Sequence, residues 1–85
     1  MGRTTTNSKE TAALVRIGER IRGLREAKGL SLSAAAERGG VSVVRWRALE
    51  NGVGNPTVAT LVRVALALDT TFAGLVSEPG SHGPT

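Results

Sequence analysis

The sequence predicts a small all-α domain of five helices, and three observations lead there. Apolar residues recur at three- and four-residue steps through the middle of the chain, the period of helices with one buried face. Gly, Asn and Pro interrupt that pattern often enough that most of the helices must be short and joined by tight turns. The β-branched Val41, Val43 and Val44 are the main candidate for a strand, and their run is too short and has no partner.

Residues 1–12 are polar, with three consecutive threonines and no apolar period, and read as a flexible N-terminal arm. The helical period begins at Ala13. Leu14, Ile17, Ile21 and Leu24 share one face, Arg16, Arg20, Arg22 and Arg25 take the others, and Gly29 suits a left-handed helix end. A second helix fits Leu32 to Arg38 behind Ser31 as N-cap, and Gly39-Gly40 break it. Ser42 caps a third helix that runs to about Glu50 and is stopped by Asn51-Gly52. After a loop from Val53 to Pro56, the proline suits a helix start, where a missing N–H is tolerated, and Thr57 helps to cap. The fourth helix then carries Val58, Leu61, Val62, Ala65 and Leu68 as its inward stripe. Thr70 or Thr71 opens a last short helix with Phe72, Leu75 and Val76. Residues 77–85 are rich in Gly, Ser and Pro and read as a flexible tail, leaving one domain over 13–76.

Composition narrows the function. With 85 residues a single domain is expected, and Trp46 and Phe72 are the only aromatics, so the core must be aliphatic. There is no cysteine, which removes disulfides, thiolate metal sites and a cysteine nucleophile. The single histidine, His82, lies in the tail, so neither a histidine metal cluster nor a Ser-His triad is available. An enzyme is therefore not expected, nor a cofactor or metal. No apolar run approaches the ~18–20 residues of a membrane span, the N-terminus is unlike a signal peptide, and both flanks are too short for a ligand-sensing domain. Eleven Lys and Arg against seven Asp and Glu give +4, and nine of the basic residues lie between Arg16 and Arg63 with only four acidic ones. A basic face of this kind attracts phosphate by releasing counterions, although a merely solvated surface would look the same.

The unit from Leu32 to Asn51 has the pattern of two helices meeting at a sharp turn. Such a turn needs a small residue where the backbones approach, supplied by Ala36, and a residue at ease at positive φ, supplied by Gly40. Val41 can tuck under the second helix, while Trp46 and Leu49, three apart, face inward together. These are the requirements of a helix-turn-helix. With its flanks, RIRGLREAKGLS before and LENGVGNPT after, the stretch from Ile17 to Leu75 resembles the Cro/CI-type (lambda-repressor-like, XRE) helix-turn-helix family without gaps. Glu50, Gly52, Pro56 and Thr57 match that family's exit segment. The chain departs from its pattern at Leu32, where glutamine is usual, at Ala35 and Gly39, where larger apolar residues are usual, and at Trp46, which is larger than the usual Leu or Ile. Val43 and Val44 replace polar residues at the start of the third helix.

The resemblance implies a lambda-repressor-like fold and a transcriptional regulator, a repressor, that sets its third helix in the major groove of double-stranded DNA. With Trp46 and Leu49 turned inward, Val43, Val44, Arg47 and Ala48 become the expected base-reading residues, the valines through thymine methyl groups. Ser33, Arg38, Ser42, Arg45, Asn51, Asn55 and Thr57 are the expected phosphate contacts, and Arg3 and Lys9 offer the arm a similar use. Glu50 is expected to be structural, paired with Arg25 or Arg22. Members of the family commonly bind as dimers on two half-sites, so a homodimer is expected at least on DNA, with Phe72, Leu75 and Val76 as candidate surface unless they simply cap the core. The resemblance also implies a cytoplasmic bacterial protein, on the nucleoid when bound, with no membrane partner. The alternative reading is a protein-interaction module of the same fold, antitoxin-like or a partner-binding subunit, in which exposed valines meet another protein and DNA contact is secondary.

Overall fold

A computed structural model describes residues 3–77, with side chains from Lys9 onward. Most of the expected tail, with His82, and the side chain of Arg3 lie outside the described residues. Five helices follow one another: α1 (Arg3–Ala27), α2 (Leu32–Gly39), α3 (Val43–Glu50), α4 (Val58–Ala67) and α5 (Phe72–Val76). α1 packs on α3 and α5, α2 on α3 and α4, and α4 on α5.

Four side-chain caps set the helix starts. The hydroxyls of Ser31, Ser42, Thr57 and Thr71 accept the backbone N–H of Ala34, Arg45, Thr60 and Gly74 at 3.0, 3.0, 3.1 and 2.9 Å. Pro56 stands one residue outside the cap and not at the first helical position as its type suggested. Between α2 and α3, Gly40 takes φ +70° and the N–H of Val41 bonds the Ala36 carbonyl at 3.1 Å. This is the left-handed ending that only glycine adopts cheaply, and it turns the chain sharply into α3.

The first expectation to fail is the arm. α1 begins at Arg3, so residues 3–12 are helical where a flexible segment was expected. Arg3–Ile17 contains neither glycine nor proline, so a helix nucleated by the packed part can propagate outward without an apolar face of its own. The inward face of α4 is also rotated. Leu61, Val64, Ala65, Ala67 and Leu68 are buried, while Val58 and Val62 face outward. Nearly every residue of VATLVRVALAL is apolar, so its period does not select one face.

The core gathers Ile21, Ala35, Ala36, Trp46 and Leu49 with the buried side of α4 and Leu75. Trp46 is fully buried and occupies the room left by the small residues of α2: a Cβ on Gly39 would lie 3.2 Å from its ring. Leu75, read from the sequence as part of either a dimer surface or a cap on the core, is a core residue at 1% exposure. It is the buried residue of the short α5, with Val76 packed half-buried against the same core.

Candidate nucleic-acid interface

α3 is held from behind by charge as well as by packing. The Glu50 carboxylate accepts from Arg25 Nη2 of α1 at 3.1 Å and from Trp46 Nε1 at 2.8 Å, with a second bond from Arg25 Nε. Arg25 also donates to the Leu30 carbonyl at 2.8 Å, which ties the α1–α2 turn into the same knot. The hydrogen bonds Arg25 donates to Glu50 raise the basicity of its guanidinium against the opposing effect of its burial. Of the two expected partners of Glu50, the structure selects Arg25; Arg22 pairs with Glu26 one turn on.

With Trp46 and Leu49 inside, the outer side of α3 carries Val44, Arg45 and Arg47, all exposed, and the half-buried Ala48. Val43 differs from expectation. It is half-buried and packs on the core, because it precedes Trp46 by three residues and so shares its face. Two shallow hollows flank the exposed side. One is lined by Ser42, Val44, Arg45, Ala48, Val53 and Asn55 with their neighbours, the other by Val43, Val44, Arg47, Ala48, Asn51 and Val53. Most of the expected contact residues thus come together around one helix. Ser33, Arg38 and Thr57 lie outside both hollows; Ser33 and Thr57 are exposed in the first turn and cap of their helices. Arg38 lies 3.6 Å from Asp69, which also pairs with Lys28. Hydrogen bonding to the Lys28 ammonium holds the Asp69 carboxyl below the usual range, with Arg38 adding to it.

The loop after α3 is fixed by its own backbone. Gly52 takes φ +72°, and the N–H groups of Gly52 and Val53 bond the carbonyls of Leu49 and Ala48 at 3.1 and 3.0 Å. A Cβ on Gly52 would come within 2.8 Å of the Val15 backbone, so the end of α3 rests directly on α1.

Helix-turn-helix domains of known sequence match residues 21–75 of this chain. The chain belongs to the HTH_3 helix-turn-helix family. It is 40% identical over 62 residues, 73% of its length, to the HTH-type transcriptional regulator SutR of Escherichia coli (strain K12), and spans 35% of the length of that relative. Among solved structures it is similar to the restriction-modification controller protein C.AhdI from Aeromonas hydrophila, with a TM-score of 0.73 and 36% identity over 75% of this chain and 97% of that one. It is also similar to a chain of the SinR protein/SinI protein complex, with a TM-score of 0.69 and 37% identity over 78% of this chain and 63% of that one. The lambda-repressor-like, all-helical architecture expected from the sequence is thus the family's own.

Sequence reasoning missed one bond and one residue of this HTH_3 site. The bond from Trp46 to Glu50 was open to inference from their spacing of four on a helix. Val53 was read only as loop, although a residue that directly follows a left-handed glycine often packs back on the helix it terminates.

Proposed function

We propose that this chain is a DNA-binding transcriptional regulator that places α3 in the major groove of duplex DNA and represses the promoter it occupies. The outer side of α3 carries this reading: two exposed arginines and an exposed valine project from a helix whose back is locked by Trp46, Leu49 and the Arg25–Glu50 pair. Val44, Arg47 and Ala48 read base edges, with Val43 placed at the margin by its partial burial. Arg45 lies at the edge of the face and takes a phosphate. Ser33, Arg38, Ser42, Asn51, Asn55 and Thr57 supply the other backbone contacts, helped by the N–H groups at the helix starts. The protein acts as a homodimer on DNA and is cytoplasmic. That assignment is compatible with the described helices, none of which is long and apolar enough to cross a membrane. Repression needs only occupancy, which a domain of this size can supply.

Titration with mixed-sequence duplex DNA at low and moderate salt tests the reading. Binding that weakens steeply with salt, followed by enrichment of one site from a random pool, is the expected result. A reporter carrying that site should be repressed. A second reading, a partner-binding module, is favoured by the apolar stripe of Val58, Val62 and Leu66 on the outside of α4. No binding to DNA at low salt, together with a defined protein complex, would select it.

A further inference from the structure

We infer that Arg20 is a positioning residue for assembly on DNA: it fastens the C-terminal end of α5 to α1 and so fixes the pose of Phe72 and Val76, where two copies meet. The inference rests on the homodimer reading above. From α1 the guanidinium reaches 54 residues along the sequence, where Nη1 donates to the Gly74 carbonyl at 3.0 Å. The same nitrogen donates to the Ser77 carbonyl at 2.8 Å, with the Leu75 carbonyl and the Ser77 hydroxyl further off at 3.5 and 3.4 Å. It carries two hydrogens, so the two shorter contacts are the bonds.

α5 needs such a partner. The last carbonyls of a helix find no donor within it, and five residues are too few to hold a helix alone. Leu75 is its one fully buried side chain, and a single anchor leaves an element free to pivot. Bonds from Arg20 to the far end remove the pivot. α1 also supports α3: a Cβ on Gly18 would collide with the Leu49 and Glu50 carbonyls, and Arg25 binds Glu50. Recognition helix and dimer contact are thus tied to one bar, and the separation of two α3 helices follows the pose of α5. Half-sites one helical turn apart tolerate little error in that separation.

The test compares Arg20→Ala, Arg20→Lys and Arg22→Ala on duplexes with one half-site or two, the two at the parent's preferred spacing or a base pair wider. Arg20→Ala should bind one half-site like the parent, bind the paired site about tenfold more weakly, and lose most of the preference for spacing. Its Leu75 and Ser77 amides, bonded to the Thr71 and Ala73 carbonyls, should exchange hydrogen about tenfold faster, with the α3 amides unchanged. Arg20→Lys keeps the charge on one nitrogen and should fall between. Arg22 pairs with Glu26 on α1 itself, so Arg22→Ala should match the parent. If Arg20→Ala melts too low to bind, the lysine variant carries the same comparison. An unchanged spacing preference overturns the inference and leaves the homodimer standing. An equal loss on one half-site and on two does the same, since it assigns Arg20 to general stability. A parent that fills paired half-sites independently, or binds no duplex, overturns the inference together with the reading it rests on.

Discussion

Trp46 shows how one residue carries both packing and polarity. Its ring fills the space that Gly39 leaves, and its Nε1 donates to Glu50 inside the α1–α3 joint. Trp46→Ala should therefore cost ~3–5 kcal/mol, a large share of the stability of so small a domain, and thermal melting reads it. Trp46→Phe keeps most of the volume but leaves Glu50 one donor short, and should fall between the two. The tryptophan's burial was legible from its spacing with Leu49; its hydrogen bond needed side-chain geometry. The exposed arginines divide differently. Arg45→Ala should weaken binding to an enriched site and to random duplex alike, and reduce the salt slope by about one unit. Arg47→Ala should lose ~1–3 kcal/mol mainly on the enriched site, as a bidentate base contact would. Equal losses on both duplexes for both variants would remove Arg47 from base reading.

Between elements, short polar links hold what a thin aliphatic core leaves loose. Asp69, at φ +58° in the α4–α5 turn, is the one non-glycine residue at positive φ among the described residues, and it draws Lys28 and Arg38 together from α1–α2 and α2. Its carboxyl is held below the ordinary range by Lys28, so the folded state favours the charged form. The sign follows: this contribution is full above the unfolded pKa near 3.9 and is lost as pH falls through and below that value. Asp69→Asn tolerates the same backbone conformation and removes only the charge. It should lower the melting temperature slightly at neutral pH and converge with the parent once the carboxyl is protonated in both states; an equal gap at every pH would assign the loss to the backbone. The caps at Ser31, Ser42 and Thr57 were readable because a hydroxyl just before a helix has one main use there; the choice between Thr70 and Thr71 for the last helix was not. Nor was the inward face of α4, because a helix apolar nearly all round gives no preferred face. The start of α1 escaped for the opposite reason: a segment without apolar period can still continue a helix that is anchored further along.

At the scale of the whole molecule the question is how much DNA one copy can read. A single α3 spans eight residues, enough for a few base pairs, whereas selective repression needs two such readers about 34–36 Å apart on one face of the duplex. The chain measures 41 × 35 × 20 Å, so two copies side by side match that separation only if they touch. Leu75 is buried and cannot be the contact, which leaves the exposed Phe72 with Val76 beside it on α5. Phe72→Glu isolates this point, since an acidic side chain suits the first turn of a helix and should leave α5 intact. The parent protein should sediment on its enriched duplex as two copies and protect two half-sites with centres about ten base pairs apart. The variant should melt within a few degrees of the parent, bind a single half-site with the same affinity, and lose the steep occupancy of the double site. A parent that saturates one half-site as a monomer would end the dimer proposal. A variant that still fills both sites cooperatively would move the contact away from Phe72, to the outward valines of α4.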